Sequence, residues 1–123
     1  MVTAGRRQAD PDWSPDQGDI IYLDFDPQSG HEQAGRRPAL VLSPRAYNSK
    51  ASLALCCPLT TRVKNWPFEV NAETELAGAR GVVLADQVKA LDWRARNAEL
   101  AAHAPKKVVA EVLAKLKVLL PGI

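Results

Sequence analysis

The sequence predicts a mainly β domain of the α+β class: a strongly bent, barrel-like sheet of short antiparallel strands followed by one C-terminal helix. Three observations carry that prediction. Short apolar runs recur over residues 19–100 with turn residues between them, the first of these runs alternates with a period of two, and helical spacing begins only after Pro105. With 123 residues, 46% of them hydrophobic and 24% charged, the chain has the size and balance of one globular domain.

Residues 1–17 carry Gly5, Pro11 and Pro15 among mixed charges without apolar periodicity, and read as a flexible leader to a domain spanning residues 18–123. Over residues 19–26, Ile21, Leu23 and Phe25 share one face while Ile20, Tyr22, Asp24 and Asp26 share the other, the pattern of a half-buried strand. Residues 27–30 stop it, and the polar stretch up to Arg37 is predicted to be an exposed loop. Residues 38–43 and 53–60 are apolar runs suited to strands covered on both faces, with Pro58 marking an edge or a bulge. One short helical turn is expected near Tyr47. Residues 68–71 and 82–85 supply further strands, residues 72–80 read as a loop, and residues 87–91 and 94–100 are shorter strand candidates. In residues 105–120, Val108 or Val109, Val112, Leu113, Leu116 and Leu120 recur three and four apart with lysines between them, so this helix packs one face on the sheet. Pro105 suits its first turn and Pro121-Gly122 ends it.

No apolar stretch is long enough to span a bilayer and the first residues lack the apolar core of a secretory signal, so a cytoplasmic protein with no membrane association is expected. Cys56 and Cys57 are adjacent in a predicted strand, which sends their side chains to opposite faces and disfavours a disulfide between them. With His31 and His103 distant in sequence, they also match no zinc-ligand spacing; buried small hydrophobes are the expectation, and neither metal nor cofactor is predicted.

The net charge is only +2, but it is unevenly sorted. Residues 1–32 hold Asp10, Asp12, Asp16, Asp19, Asp24, Asp26 and Glu32 against Arg6 and Arg7, whereas residues 33–68 hold Arg36, Arg37, Arg45, Lys50, Arg62 and Lys64 and no acid. Positive charge interleaved with Tyr47, Trp66 and Phe68 suits a surface that tracks phosphates and stacks bases, although solvated loop charges flanking strands read the same way. Phosphate-cradling glycine loops and Gly-x-Ser-x-Gly elbows are absent. What remains is Glu32-Gln-Ala-Gly-Arg-Arg-Pro38, with a carboxylate and paired guanidinium groups, beside Pro58-Leu-Thr-Thr61. RNA carries its own nucleophile, the ribose 2′-hydroxyl, so a ribonuclease needs only a base, an acid and cations for the phosphorane charge. Arg37 and Thr60 could supply the last two and Glu32 the first; equally, Arg37 could form a structural ion pair and Thr60 could satisfy a strand end.

The ordered segments Gly18-Asp-Ile-Ile-Tyr-Leu-Asp-Phe-Asp-Pro27, Glu32 to Pro44, Tyr47-Asn48, Pro58-Leu-Thr-Thr61, Pro67-Phe-Glu-Val70, Gly81-Val-Val-Leu-Ala-Asp-Gln-Val-Lys89 and Trp93-Arg-Ala-Arg96 bring in a specific resemblance. Over most of residues 18–96 the chain resembles the MazF/PemK family of toxin endoribonucleases from bacterial toxin–antitoxin pairs. That resemblance implies an SH3-like barrel, a two-fold homodimer with single-stranded RNA in the groove it creates, and sequence-specific cutting without a metal that leaves a 2′,3′-cyclic phosphate and a 5′-hydroxyl. It also implies a growth-inhibiting toxin of the stress response, neutralised by an antitoxin with an acidic disordered tail. By the same resemblance Arg37 and Thr60 are catalytic, Glu32 is a loop glutamate that acts as base or organiser, and Phe25, Asp26, Asn48, Lys64, Asp86 and Gln87 line the RNA groove; Gln33 and Arg36 are expected to bind RNA beside them. His31 and Arg36 depart from relatives and either tune sequence preference or face water; Trp66 either stacks a base or covers the core. Two other readings compete. One is a non-enzymatic toxin of the same barrel type that binds a protein such as DNA gyrase, to which the Leu119-Leu-Pro-Gly-Ile123 ending lends faint support; the other is a thiol enzyme using Cys56 or Cys57.

Overall fold

The computed structural model describes residues 11–25, 35–76 and 79–123. Strands β1 (Asp19–Phe25), β2 (Gly35–Val41), β3 (Leu53–Thr60), β4 (Glu69–Leu76), β5 (Ala79–Leu84), β6 (Lys89–Asp92) and β7 (Glu99–His103) form one curled antiparallel sheet, a half-barrel, in the order β4-β5-β3-β2-β1-β7 with β6 also paired to β3. Helix α1 (Arg45–Ala51) links β2 to β3, a 3₁₀ turn over Ala85–Gln87 links β5 to β6, and helix α2 (Lys106–Val118) follows β7.

The sheet is buried on both faces, which is why its central strands are nearly continuous apolar runs. Ile20, Leu40, Cys57, Leu59, Val70 and Val83 pack under Val108, Val109 and Val112 of α2. Their chain neighbours Ile21, Val41 and Cys56 point the other way, into a second core with Leu23, Ala54, Leu91, Trp93 and Ala98. Successive residues of a strand alternate faces, so each of β1, β2 and β3 serves both cores. The two cysteines are therefore buried hydrophobes on opposite faces, and burial pushes both thiols up to about 12.

Several expected boundaries move. The stretch 11–17, expected to lie outside the fold, packs on it: Ser14 and Pro15 are buried, Trp13 meets the edge of Trp93 at 5.6 Å, and the Gln17 side chain donates to the Leu42 carbonyl. Its polar composition hid this because its anchors are single side chains with no period. Residues 35–37, expected in the loop, begin β2; Gly35 turns the chain into it at φ +90°, a conformation suited to glycine. Residues 72–76 and 79–80 are also strand rather than loop, since β4 and β5 pair in a ladder that satisfies the backbone whatever the side chains do, with an irregularity between Asn71 and Glu75 where Glu73 has φ 56°. Residues 94–97 turn, and the final strand starts at Glu99 instead. The short helix at Tyr47 and the helix after Pro105 stand where predicted, although Leu113 and Leu120 are largely exposed.

Pro58 explains itself in this topology. β3 pairs with β6 from Leu53 to Cys56 and with β5 at Leu59 and Thr60, so Pro58, which has no N–H to donate, lies in the gap where the strand changes partners. No helix among the described residues is long and apolar enough to cross a membrane.

Candidate active-site groove

Strand alternation separates the two arginines of β2. Arg36 faces Asp24 of β1 and joins a polar network: its guanidinium donates to Asp24 Oδ1 at 2.6 Å, Glu99 Oε1 at 2.8 Å and the Asn97 carbonyl at 2.7 Å. Asn97 Nδ2 donates to the other Asp24 oxygen at 2.8 Å, and hydrogen bonds from Asn97 and Arg36 hold the Asp24 carboxyl below its ordinary value. Arg37 points the opposite way and has no carboxylate partner among the described residues. The β2–β3 ladder ends at Ala39 opposite Pro58, and Arg37 and Thr60 each stand two residues beyond that pair. Both side chains line one groove of ≈ 650 Å³, together with Phe25, Lys64, Gln87 and Lys89.

Local structure fixes the Thr60 end. The Arg62 N–H donates to Thr60 Oγ1 at 3.1 Å, a hydroxyl-capped turn that orients the side chain. Behind it, a Cβ on Gly81 would come within 3.1 Å of the Thr60 carbonyl oxygen, so the hairpin backbone approaches there as closely as glycine allows. The loop that follows is shaped by Glu69, whose carboxylate accepts from the backbone N–H groups of Lys64 and Asn65. Arg37, Arg62, Lys64 and Lys89 give the groove positive charge, and Glu69, the acid lining it, is engaged with backbone. Clustered cations with a positioned hydroxyl suit a phosphodiester and the charge that develops on it.

The expected site residues divide. Phe25, Arg37, Thr60, Lys64 and Gln87 line the groove. Glu32, Asp26, Gln33 and His31 fall outside the described residues. Arg36, Asn48 and Asp86, expected to face RNA, lie off the groove. Arg36 is spent on its ion pairs. Asn48 is fully buried, donating to the Pro15 and Ser43 carbonyls at 2.9 and 3.0 Å and accepting from the Ser43 hydroxyl at 2.6 Å. Asp86 turns to Trp66, accepting the indole N–H on Oδ2 at 2.9 Å, while its buried Oδ1 has no partner among the described residues. Sequence reasoning did not place Arg62, Asn65 or Lys89 in the groove. Arg62 stood out only as one charge of the acid-free segment, and Lys89 arrives through its pairing with Cys56, which no local pattern announces.

The profile of the PemK-like, MazF-like toxin of type II toxin-antitoxin systems matches residues 16–120. The chain is 49% identical over 108 residues to an endoribonuclease toxin MazF of Escherichia coli K12, covering 86% of this chain and 94% of that protein, and 41% identical over 106 residues to the endoribonuclease toxin ChpB of the same strain, covering 83% and 90%. Among solved structures, a MazE-MazF crystal structure from Deinococcus radiodurans superposes with a TM-score of 0.82 at 54% identity, over 91% of this chain and 100% of that one.

Proposed function

The chain belongs to the PemK-like, MazF-like toxin family of type II toxin-antitoxin systems, and on that premise we propose that it is an endoribonuclease toxin that cuts single-stranded RNA at a short sequence. The observation that supports this reading is that Arg37 and Thr60 line one groove together with Arg62, Lys64 and Lys89. The ribose 2′-hydroxyl attacks the adjacent phosphorus as its proton passes to a base. The bond to the 5′-oxygen then breaks and that oxygen takes a proton from the Arg37 and Thr60 pair, which leaves a 2′,3′-cyclic phosphate and a 5′-hydroxyl. Arg37 binds the equatorial oxygens in bidentate fashion and Thr60 adds a hydrogen bond as their charge grows. Glu32 takes the 2′ proton or orders its loop, Lys64 grips the backbone, and Phe25, Asp26, Gln33 and Gln87 contact the bases and sugars. The positive charge comes from the protein's own side chains, so the reaction needs no metal.

The partner is an antitoxin whose acidic, disordered tail folds onto the basic groove and excludes RNA. Crystal structures of MazE-MazF complexes from Deinococcus radiodurans support such a pairing. The active species is a homodimer with RNA across the two subunits, and it works where mRNA is, in the cytoplasm. Purified protein is expected to cut RNA in EDTA, and sequencing the new 5′-hydroxyl ends reads the motif. Arg37→Ala and Thr60→Ala should each lower kcat by about 100-fold or more; either variant cutting as fast as the parent sinks the assignment.

A further inference from the structure

We propose that Trp66 is a stacking platform for one nucleobase of the RNA, at a position away from the cleaved bond. The proposal rests on the ribonuclease reading of the groove and extends the groove past its catalytic pair. Trp66 stands between two hollows: it lines the groove that holds Arg37 and Thr60, and also a neighbouring one of ≈ 580 Å³ floored by Val63, Asn71, Val82 and Lys115. Its surface is 50% exposed and that of Val63 is 56% exposed, so the wall between the hollows is an uncovered apolar step beside a basic channel.

The ring is also held still. Its N–H is fixed to Asp86, which accounts for an acid expected at the RNA surface turning inward, and it leans on Phe68 with centroids 5.8 Å apart. The backbone around it is pinned three ways: Glu69 N–H donates to the Trp66 carbonyl at 2.9 Å, Lys115 Nζ to the Pro67 carbonyl at 2.6 Å, and the Glu69 carboxylate holds Lys64 and Asn65. A ring fixed before binding loses little freedom when a base lies on it. Arg62 and Lys64, a few residues earlier on the same loop, carry the charge that flanking phosphates require. An aromatic face with cations beside it is the composition of single-strand readers that stack without reading base edges, and it favours nucleic acid over a protein segment as the occupant.

The test scans a short RNA substrate, designed from the sequenced cut sites, with one abasic nucleotide at a time. In the parent, one position other than the two flanking the cut should raise KM roughly 5- to 150-fold when its base is removed, with kcat nearly unchanged. Trp66→Ala should show that same rise with the intact substrate and no further rise when the base at that position is missing. Trp66→Phe should recover most of the affinity and Trp66→Leu should not, which separates a stacking ring from a cover over Phe68. Trp66→Ala matching the parent's KM, recovery by leucine, or a defect seen only in antitoxin binding would each overturn the proposal. A parent that cuts no RNA overturns both this and the reading of the groove, whereas a parent that cuts with an indifferent Trp66 leaves that reading intact.

Discussion

Arg36 and Arg37 are chemically identical neighbours that the pleat assigns to different work. Arg36 has its donors satisfied by Asp24, Glu99 and the Asn97 carbonyl, whereas Arg37 lies open to the groove. The Asp24 end of that network sets a pH dependence. Asn97 and Arg36 lower Asp24, the Arg45 N–H lowers Asp16, and the Ala95 N–H lowers Asp92 from the ordinary value of 3.8. Each carboxyl is more acidic folded than unfolded, so its contribution is whole above 3.8 and drains away as pH falls from there through the lower folded value. The thermal midpoint should therefore change little on their account between pH 8 and pH 5, drop at more acid pH, and drop less steeply in Asp24→Asn. Asn48 is the costlier position. Asn48→Ala strands the Ser43 hydroxyl and the Pro15 and Ser43 carbonyls in a dry site, and about 2–4 kcal/mol should be lost, read from a urea midpoint. At pH 8 a thiol pushed up to about 12 is ionised to about one part in 10⁴. Mass spectrometry after alkylation should find Cys56 and Cys57 unlabelled in the native protein and labelled once it unfolds, which leaves the thiol-enzyme reading without a nucleophile.

At the scale of elements, β3 organises the molecule. It serves two cores, takes β2 along one side and divides the other between β6 and β5, and its last residue is the hydroxyl of the groove. Its apolar run was legible in the sequence, as was the proline break. The partners on its far side were not, because those pairings span some twenty to forty positions of chain and are set by which faces can be buried together. Gly81, on β5 behind Thr60, tests that dependence. Gly81→Ala presses a methyl on the Thr60 carbonyl, so it should lower kcat several-fold at about 1 kcal/mol of stability. For α2, spacing gave the helix but not its exact inner stripe. Val112 is fully buried while Leu113 is 38% exposed, so Val112→Ala should cost about 1–3 kcal/mol and Leu113→Ala less than about 1, compared by chemical denaturation.

For the whole molecule, fold class, chain order of the helices and one end of the sheet could be read from period and turn residues, because burial writes itself into local pattern. The groove could be read only in part. Arg37 and Thr60 stood out through a resemblance that carries three-dimensional information the residues alone do not, whereas Lys89 and the inward turn of Asp86 follow from contacts distant in sequence. The packing of residues 11–17 escaped notice for the same reason: Trp13 and Pro15 find their partners, Trp93 and Asn48, far along the chain.

That distance has a consequence in time. β1 is completed on one side by β7, and Asp19 is bonded to His103 across 84 positions. A growing chain exposes Arg37 and Thr60 to the cell long before the strand that closes their sheet has been made, and such non-local closure is slow to form. Chains stalled before residue 99 are expected to be digested by a protease that spares the finished protein. For the ribonuclease proposed above, such an order of assembly is expected to keep the groove unformed while the chain is still attached to its own message.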